Sequence, residues 1–344
     1  MLNKNILIIG GNGIIGQSIS RILKLRHKEA TIFIGTRKVK LKNDIQIDVN
    51  DHHSFSVLLT KKIDCIVMCT IDNKNNMLKY CIKNGIHYID ITKPTTALSE
   101  AYELVKHKDS NSKIVFSSGW MSGIVPNLIK ANSYDKEIVE KVKLIVYYST
   151  KDLAGKSSAD FMAENVIKSF NYYRNHKTIK TKHFLESEKH HFYFDLGKRY
   201  VYNIDLPDLY TLNAIENIPS VSSKVTYNSK ITTLLLGVLQ KMNLFSLMNL
   251  KERKVFFEGN GKGDLSVFEI VLETNQRSYK IVVKSTNGQA EITAFSTVIH
   301  IEKLFQKNIA NGIYFSHQLY TQEPREFLKN IYKNPSIEIQ TLIN

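Results

Sequence analysis

Four glycines near the start of the chain have the types and spacing to hold a pyrophosphate. Gly10, Gly11, Gly13 and Gly16 follow the apolar run Leu7, Ile8 and Ile9 and precede Ile14, Ile15, Ile19, Ile22 and Leu23. Gly11, Gly13 and Gly16 match G-x-G-x-x-G, and Gly10, Gly13 and Gly16 match G-x-x-G-x-x-G; the spacing leaves both registers open. A tight strand-to-helix turn needs positive φ, which glycine adopts without a steric penalty. A missing side chain lets phosphate reach the backbone, and a third glycine lets helix and strand pack closely. The negative charge then meets free N–H groups at the positive end of the helix dipole. Gly10, Gly11, Asn12, Gly13, Ile14, Ile15 and Gly16 are therefore the expected phosphate-binding turn of a dinucleotide site.

Other residues can complete such a site. About 20 positions beyond the glycines, a dinucleotide fold that takes NAD carries an acidic residue for the ribose hydroxyls. This chain has Thr36 and Arg37, followed by Lys38 and Lys40. A guanidinium pairs with a 2′-phosphate in a fork, whereas a carboxylate repels it. NADP(H) is accordingly expected over NAD(H). Asp48 and Val49 end a third apolar run and are expected beside the adenine. Cys69, Thr70 and Ile71 end a fourth, Asp90 a fifth, and Trp120 follows a sixth; all are expected around the cofactor, because ligands bind at the carboxyl ends of such strands. Lys93 follows the fifth strand and could donate a proton to a substrate oxygen or imine, or could equally be a solvated loop lysine before Pro94. Met121 and Asn127 lie near the expected nicotinamide. Tyr148, Arg174 and Arg199 are candidates for holding a substrate carboxylate.

The elements that position these residues alternate. Apolar strands are read over 5–9, 30–37, 43–49, 64–70, 87–92 and 113–119, with a helix opening at Ile14 and helices over 51–59, 75–84 and 95–107 between them. That is an α/β, Rossmann-type doubly wound parallel sheet of about six strands. From 140 the pattern changes. A strand over 140–150 leads to a helix over 158–173, opened by Gly155, Lys156, Ser157 and Ser158. Strand-like runs over 178–185, 190–196 and 199–204 follow, then helix over 230–249, a hairpin over 265–285, and helix over 289–309. Consecutive strands imply a second α+β domain built on an antiparallel sheet. The expected division is 1–130 for nucleotide, 131–310 for substrate and dimer contacts, and 311–344 packing back on the first domain.

At 344 residues, two domains are the natural expectation. No apolar stretch approaches membrane-spanning length, and no secretory leader is expected, because the first apolar run runs into glycines. Cys65, Cys69 and Cys81 read as reduced thiols of a cytoplasmic protein. The net charge of +15 is spread through every segment, so lysine solvates all faces and neither nucleic acid nor membrane is an expected partner. His190, His191 and Glu188 lack a third ligand at metal spacing, so no metal is expected. Tyr147 and Lys151 match Tyr-x-x-x-Lys, but their segment alternates as a strand and would not stack the two side chains.

Three segments resemble one family. The glycine turn, then Asn84-Gly85-Ile86-His87-Tyr88-Ile89-Asp90, then the stretch from Gly119 to Asn127 are similar to the saccharopine dehydrogenase-like family. Asn311-Gly312-Ile313-Tyr314, with Glu323-Pro324 and Phe327-Leu328, is similar to that family's ending. The chain departs from the pattern at Ser122, where relatives often have proline, and at Lys93-Pro94, where many carry Gly-Glu. The resemblance implies an NADP(H)-dependent oxidoreductase, a homodimer, and hydride transfer to a carbonyl or imine of a small, amino-acid-like substrate. The other reading is a sensor that holds NADP(H) without turnover.

Overall fold

The computed structural model describes residues 2–133, 137–152, 156–257, 261 and 264–343, without the side chains of 156 and 157. β1 (Asn5–Ile9) runs through the glycine turn into α1 (Ile14–Arg26). β2 (Thr31–Thr36) and β3 (Asp44–Gln46) follow. The single helix expected over 51–59 is divided into a 3-10 turn, His52–Phe55, and α2 (Val57–Thr60). Ser54 explains the tighter turn: its hydroxyl donates to the carbonyls of Asp51 at 2.7 Å and Asp48 at 3.1 Å, competing with helical bonding. β4 (Cys65–Met68), α3 (Asn76–Asn84), β5 (His87–Asp90), α4 (Thr95–Val105), β6 (Lys113–Phe116) and α5 (Ile124–Asn132) complete the alternation.

The later chain is richer in strand than its sequence pattern suggests. β7 (Val139–Tyr148) precedes α6 (Lys156–Asn165); Gly155, expected to open that helix, lies outside the described residues. Helix was expected to continue to 173, but β8 (Ser169–Arg174) takes that stretch and pairs with β9 (Lys177–Lys182). Phe170, Tyr172 and Tyr173 favour a pleated surface, and Asn175 and His176 supply the two positive φ angles of a tight hairpin turn. β10 (Glu188–Phe192) and β11 (Gly197–Asn203) form a second hairpin. α7 (Asp208–Tyr210), β12 (Ser220–Tyr227), α8 (Lys230–Lys241) and α9 (Leu250–Val255) follow. β13 (Ser266–Thr274) and β14 (Ser278–Ser285) are the expected hairpin. α10 (Gly288–Leu304), β15 (Gly312–Phe315), α11 (Pro324–Ile331) and β16 (Ile337–Ile343) end the chain.

Two compact units result, 1–131 with 293–331 and 132–292 with 332–344. The first carries a seven-stranded sheet in the order β15-β6-β5-β4-β1-β2-β3, every pair parallel. Six of those strands have the doubly wound order 3-2-1-4-5-6, which reverses between β1 and β4. The second unit holds a nine-stranded sheet. It is mixed rather than antiparallel: β12 runs parallel to β7, made possible by the long connection between them. The C-terminal segment is also divided. β15 adds to β6 in the first sheet, but β16 pairs with β14 in the second, so 332–344 does not return to the nucleotide domain. Ile337 and Ile339 are buried on either side of the exposed Glu338, the alternation of a half-buried edge strand.

The interior carries neutral histidines. Burial holds His183 and His300 at about 4, and His87 likewise at about 4 with help from Lys113 and Lys4. Since these folded values lie below the unfolded value near 6.5, their stabilisation is complete above that pH and is lost as pH falls toward 4. Unfolding at about pH 5 is therefore expected to take up close to three protons, and His300→Gln to remove about one of them. Denaturant unfolding across pH 4.5–7 measures this slope; a flat profile would contradict it.

Candidate functional site

The glycine turn lies where the strand order reverses. Gly10 has φ of 82°, and a Cβ there would stand 2.9 Å from the carbonyl oxygen of Cys69 at the end of β4. A Cβ on Gly16 would stand 2.5 Å from the Cα of Gly11, so this glycine sets how closely α1 approaches β1. Gly11 is pressed against Ile34 and the Ile8 carbonyl. Both overlapping motifs are thus used: Gly10 makes the left-handed turn, while Gly11 and Gly16 make the close contacts. Gly13 is the N-cap of α1, exposed and in extended conformation. It provides no side-chain cap, and the first turn of α1 contains no acidic residue. The leading N–H groups of that helix are therefore free of a competing carboxylate. Asn12 is exposed and gives its carbonyl to the Gln17 amide at 2.7 Å; Ile14 and Ile15 are half-buried.

Arg37 stands close by. The Gly10 N–H donates to the Gly35 carbonyl at 3.1 Å, two residues before Arg37. Arg37 is exposed and lines a pocket of about 590 Å³ with Asp48, His53, Ser54 and Lys61. The structure thus brings Arg37 and Asp48 together at the carboxyl ends of β2 and β3. Thr36 Oγ1 accepts the Lys38 N–H at 3.3 Å, and the Asp48 carboxylate accepts the Asn50 N–H at 2.9 Å. Val49 gives its carbonyl to the Asn76 amide at 2.9 Å, which anchors the start of α3.

At the ends of β4 and β5 the predicted residues divide. Thr70 and Ile71 are exposed beside the Gly10 turn. Half-buried Cys69 has its thiol pushed above its usual range by desolvation and the charge of Asp90, which disfavours the thiolate. Asp90 is fully buried and already satisfied: it accepts from Tyr88 Oη at 2.6 Å, Thr92 N at 2.8 Å and Thr92 Oγ1 at 2.7 Å. It is no ligand for a ribose. Lys93 is 2% exposed, not a solvated loop lysine. Its Nζ donates to Asn75 Oδ1 at 2.6 Å and to the Asp72 carbonyl at 3.4 Å, and lies 3.3 Å from Asp90 Oδ2. The ammonium is thus enclosed by an amide oxygen, a backbone carbonyl and a carboxylate inside the protein. The expectation that Lys93 hands a proton to substrate is corrected accordingly; it pairs with Asp90 and fastens β5 to the start of α3.

Beyond β6 the chain makes an unusual turn. Met121, Ser122 and Gly123 all have positive φ, at 49°, 59° and 67°. Ser117 and Ser122 hydroxyls lie 3.0 Å apart, Thr297 Oγ1 donates to Ser122 Oγ at 3.0 Å, and His300 Nε2 lies 3.1 Å from the Ser122 carbonyl. A hydrophilic patch of α10 therefore pins the turn. Trp120 is half-buried, and Met121 is 4% exposed, packed into the core rather than lining an open pocket. Asn127 is buried and donates its amide to the Gly123 carbonyl at 2.8 Å, closing the turn. Sequence reading omitted Ser118, which accepts the Lys93 N–H at 3.0 Å. The available signal was two serines ending an otherwise apolar strand.

The three carboxylate-holding candidates of the second unit are not brought together. Arg199 donates to the carbonyls of Asn228 at 2.9 Å and Leu196 at 3.2 Å and lies 5.0 Å over the Tyr147 ring. Tyr148 is near it: its carbonyl accepts the Asn228 N–H, and burial pushes its hydroxyl up to about 12. Arg174 is at the opposite end of β12, where Tyr173 pairs with Val221, about 20 Å away along the strand. His190, considered for a metal, instead meets the buried Glu269 carboxylate at 2.7 Å, which Lys280 approaches at 2.9 Å. Among the described residues no group of three metal-ligating side chains is assembled, and no helix is long and apolar enough to cross a membrane.

No family model matches the chain, and no curated protein matches it. Similar solved structures include a Clostridium tetani meso-dapdh variant with DAP, 13% identical over 94% of this chain and 98% of that one, TM-score 0.45. Levoglucosan dehydrogenase in complex with NADH is 11% identical over 98% and 99% of the two chains, TM-score 0.38. Aspartate semialdehyde dehydrogenase II of Vibrio cholerae, complexed with ASA, is 13% identical over 80% and 75%, TM-score 0.37. Likeness of this degree carries no functional argument, and the Rossmann-type assignment rests on the strand order of the chain itself.

Proposed function

We propose that the chain is an NADP(H)-dependent oxidoreductase of the saccharopine dehydrogenase-like kind, acting on a carbonyl or imine of a small, amino-acid-like substrate. The observation that carries this reading is the glycine turn. At the switch point of a doubly wound sheet, side chains are excluded at Gly10, Gly11 and Gly16 while Gly13 stays exposed at an uncapped helix start. Arg37, with no carboxylate in its place at the end of β2, supports NADP(H) over NAD(H). The bound cofactor supplies the hydride chemistry. The chain contributes position: backbone N–H groups for the pyrophosphate, Arg37 for the 2′-phosphate, and the Lys93–Asp90 pair holding the β5 edge in place.

A second reading, an NADP(H)-binding sensor without turnover, is favoured by one observation. Lys93 and Asp90 satisfy each other inside the protein, so neither is free to transfer a proton. Oxidation of NADPH against a panel of 2-oxo acids, with and without lysine, separates the two: turnover supports the enzyme, and binding without turnover supports the sensor. Cofactor preference has its own test. A charge-assisted hydrogen bond contributes about 1.5–3 kcal/mol, or roughly 10- to 100-fold in affinity. Arg37→Asp is expected to weaken NADPH by that factor and leave NADH within a few-fold. Equal loss for both nucleotides would remove Arg37 from the 2′-phosphate.

A further inference from the structure

A cavity of about 470 Å³ lies on the sheet of the second unit, and it gathers positive charge. Lys141, Lys143, Arg174 and Lys224 line it, together with Glu186, Glu188 and Glu273. The pairing register brings these groups together. Lys141 and Lys143 alternate on β7 directly opposite Ser220 and Ser222 of β12, and alternation sends all four to one face. Two of the lysines are then paired. Lys141 meets Glu273 at 2.8 Å and Lys143 meets Glu188 at 2.7 Å, while Glu186 keeps its negative charge and accepts the neutral Tyr172 hydroxyl at 2.9 Å, leaving two cations against one carboxylate.

Two cations remain without an ion-pair partner among the described residues. Arg174 contacts the neutral Tyr172, with Nη2 3.3 Å from its hydroxyl and the guanidinium carbon 5.9 Å from its ring centre. Lys224 is 6% exposed, and its Nζ donates to the Glu186 backbone carbonyl at 2.6 Å. That bond leaves two of its three N–H donors for other acceptors. Burial holds Lys224 below the usual lysine range, and Lys143 and Arg174 add repulsion against the attraction of Glu188 and Glu186. A buried ammonium and a guanidinium facing one cavity are stabilised by an anion that accepts from both.

We propose that this cavity binds a small molecule through an oxyanion head, a carboxylate or a phosphate, received by Arg174 and Lys224. The site belongs to the second unit and does not depend on the dinucleotide reading. Its ligand is not the 2′-phosphate assigned to Arg37, which lines a different pocket in the other unit.

Calorimetric titration of the full chain with inorganic phosphate and, separately, with glutarate tests it and distinguishes the two head groups. Saturable binding of at least one probe is expected. Arg174→Gln and Lys224→Gln are each expected to weaken it about tenfold or more, while Arg37→Gln changes it less than about twofold. Arg174 is exposed, so its variant decides the matter even where Lys224→Gln fails to fold. Absence of binding by both probes at millimolar concentration would overturn the proposal. So would binding that Arg174→Gln leaves intact, or binding that Arg37→Gln abolishes.

Discussion

Gly10→Ala is expected to lower both the stability of the protein and its affinity for a dinucleotide. At φ of 82° an alanine pays roughly 1–2 kcal/mol for the left-handed conformation. The new methyl also meets the Cys69 carbonyl oxygen at 2.9 Å and Thr70 Cβ at 3.2 Å, and forced overpacking of this kind adds about 1–3 kcal/mol. Part of the clash is relieved by moving the β1–α1 turn away from the end of β4, which misplaces the N–H groups assigned to phosphate. Gly13→Ala is the informative control. Its φ is −76°, and the one neighbour of an added Cβ is the Gly10 carbonyl oxygen at 3.3 Å. Stability should change by less than about 1 kcal/mol, as at an ordinary exposed cap. Yet the methyl stands on the exposed surface where phosphate approaches, so NADPH affinity should fall by about tenfold or more, the loss of at least one charge-assisted hydrogen bond. Thermal unfolding and nucleotide titration of the two variants measure both effects. A Gly13→Ala protein that binds as the wild type does would contradict the cradle.

Lys93→Met should be among the most damaging single changes in the first unit. It removes the cation from a carboxylate that is 0% exposed. Breaking a buried pair from one side costs about 3–5 kcal/mol, because the remaining charge has lost its compensation. Asp90 keeps Tyr88 and Thr92 as donors, which places the expected loss at the lower end. Adding Asp90→Asn removes the orphaned charge, and the double variant should recover most of the stability. Denaturant unfolding of the two single variants and the double gives the coupling directly. A Lys93→Met protein within about 1 kcal/mol of the wild type would mean that the pair contributes little. The double variant also tests chemistry: retained NADPH turnover would exclude Lys93 as a proton donor by a route independent of its geometry.

The first sheet was legible because its signals are local and redundant. Glycines follow an isoleucine-rich strand, Gly85 stops a helix at a left-handed position, and apolar runs alternate with 3.6-residue periods. Its carboxyl edge was legible only in outline. Position along a strand indicates that Asp90 and Lys93 end near the ligand edge, but three residues of spacing do not reveal that they face each other. The second sheet was less legible. β8 looked helical because the apolar pattern of α6 continues into aromatic residues, and only pairing with β9 and β12 makes it a strand. β12 and β16 were missed for the same reason: β12 pairs with β7 about 80 residues earlier and β16 with β14 about 60 residues earlier, beyond any local pattern. The cation cavity follows from that pairing, since Arg174, Lys143 and Lys224 come from three different strands.

A fluorescence titration of the full-length chain with NADPH, run beside one with NADH, tests the central claim most directly. Saturable binding of one NADPH per chain is predicted, tighter than NADH by about tenfold or more as expected for a 2′-phosphate held by Arg37. Absence of saturable binding for both nucleotides would contradict the assignment of the glycine turn as a dinucleotide cradle.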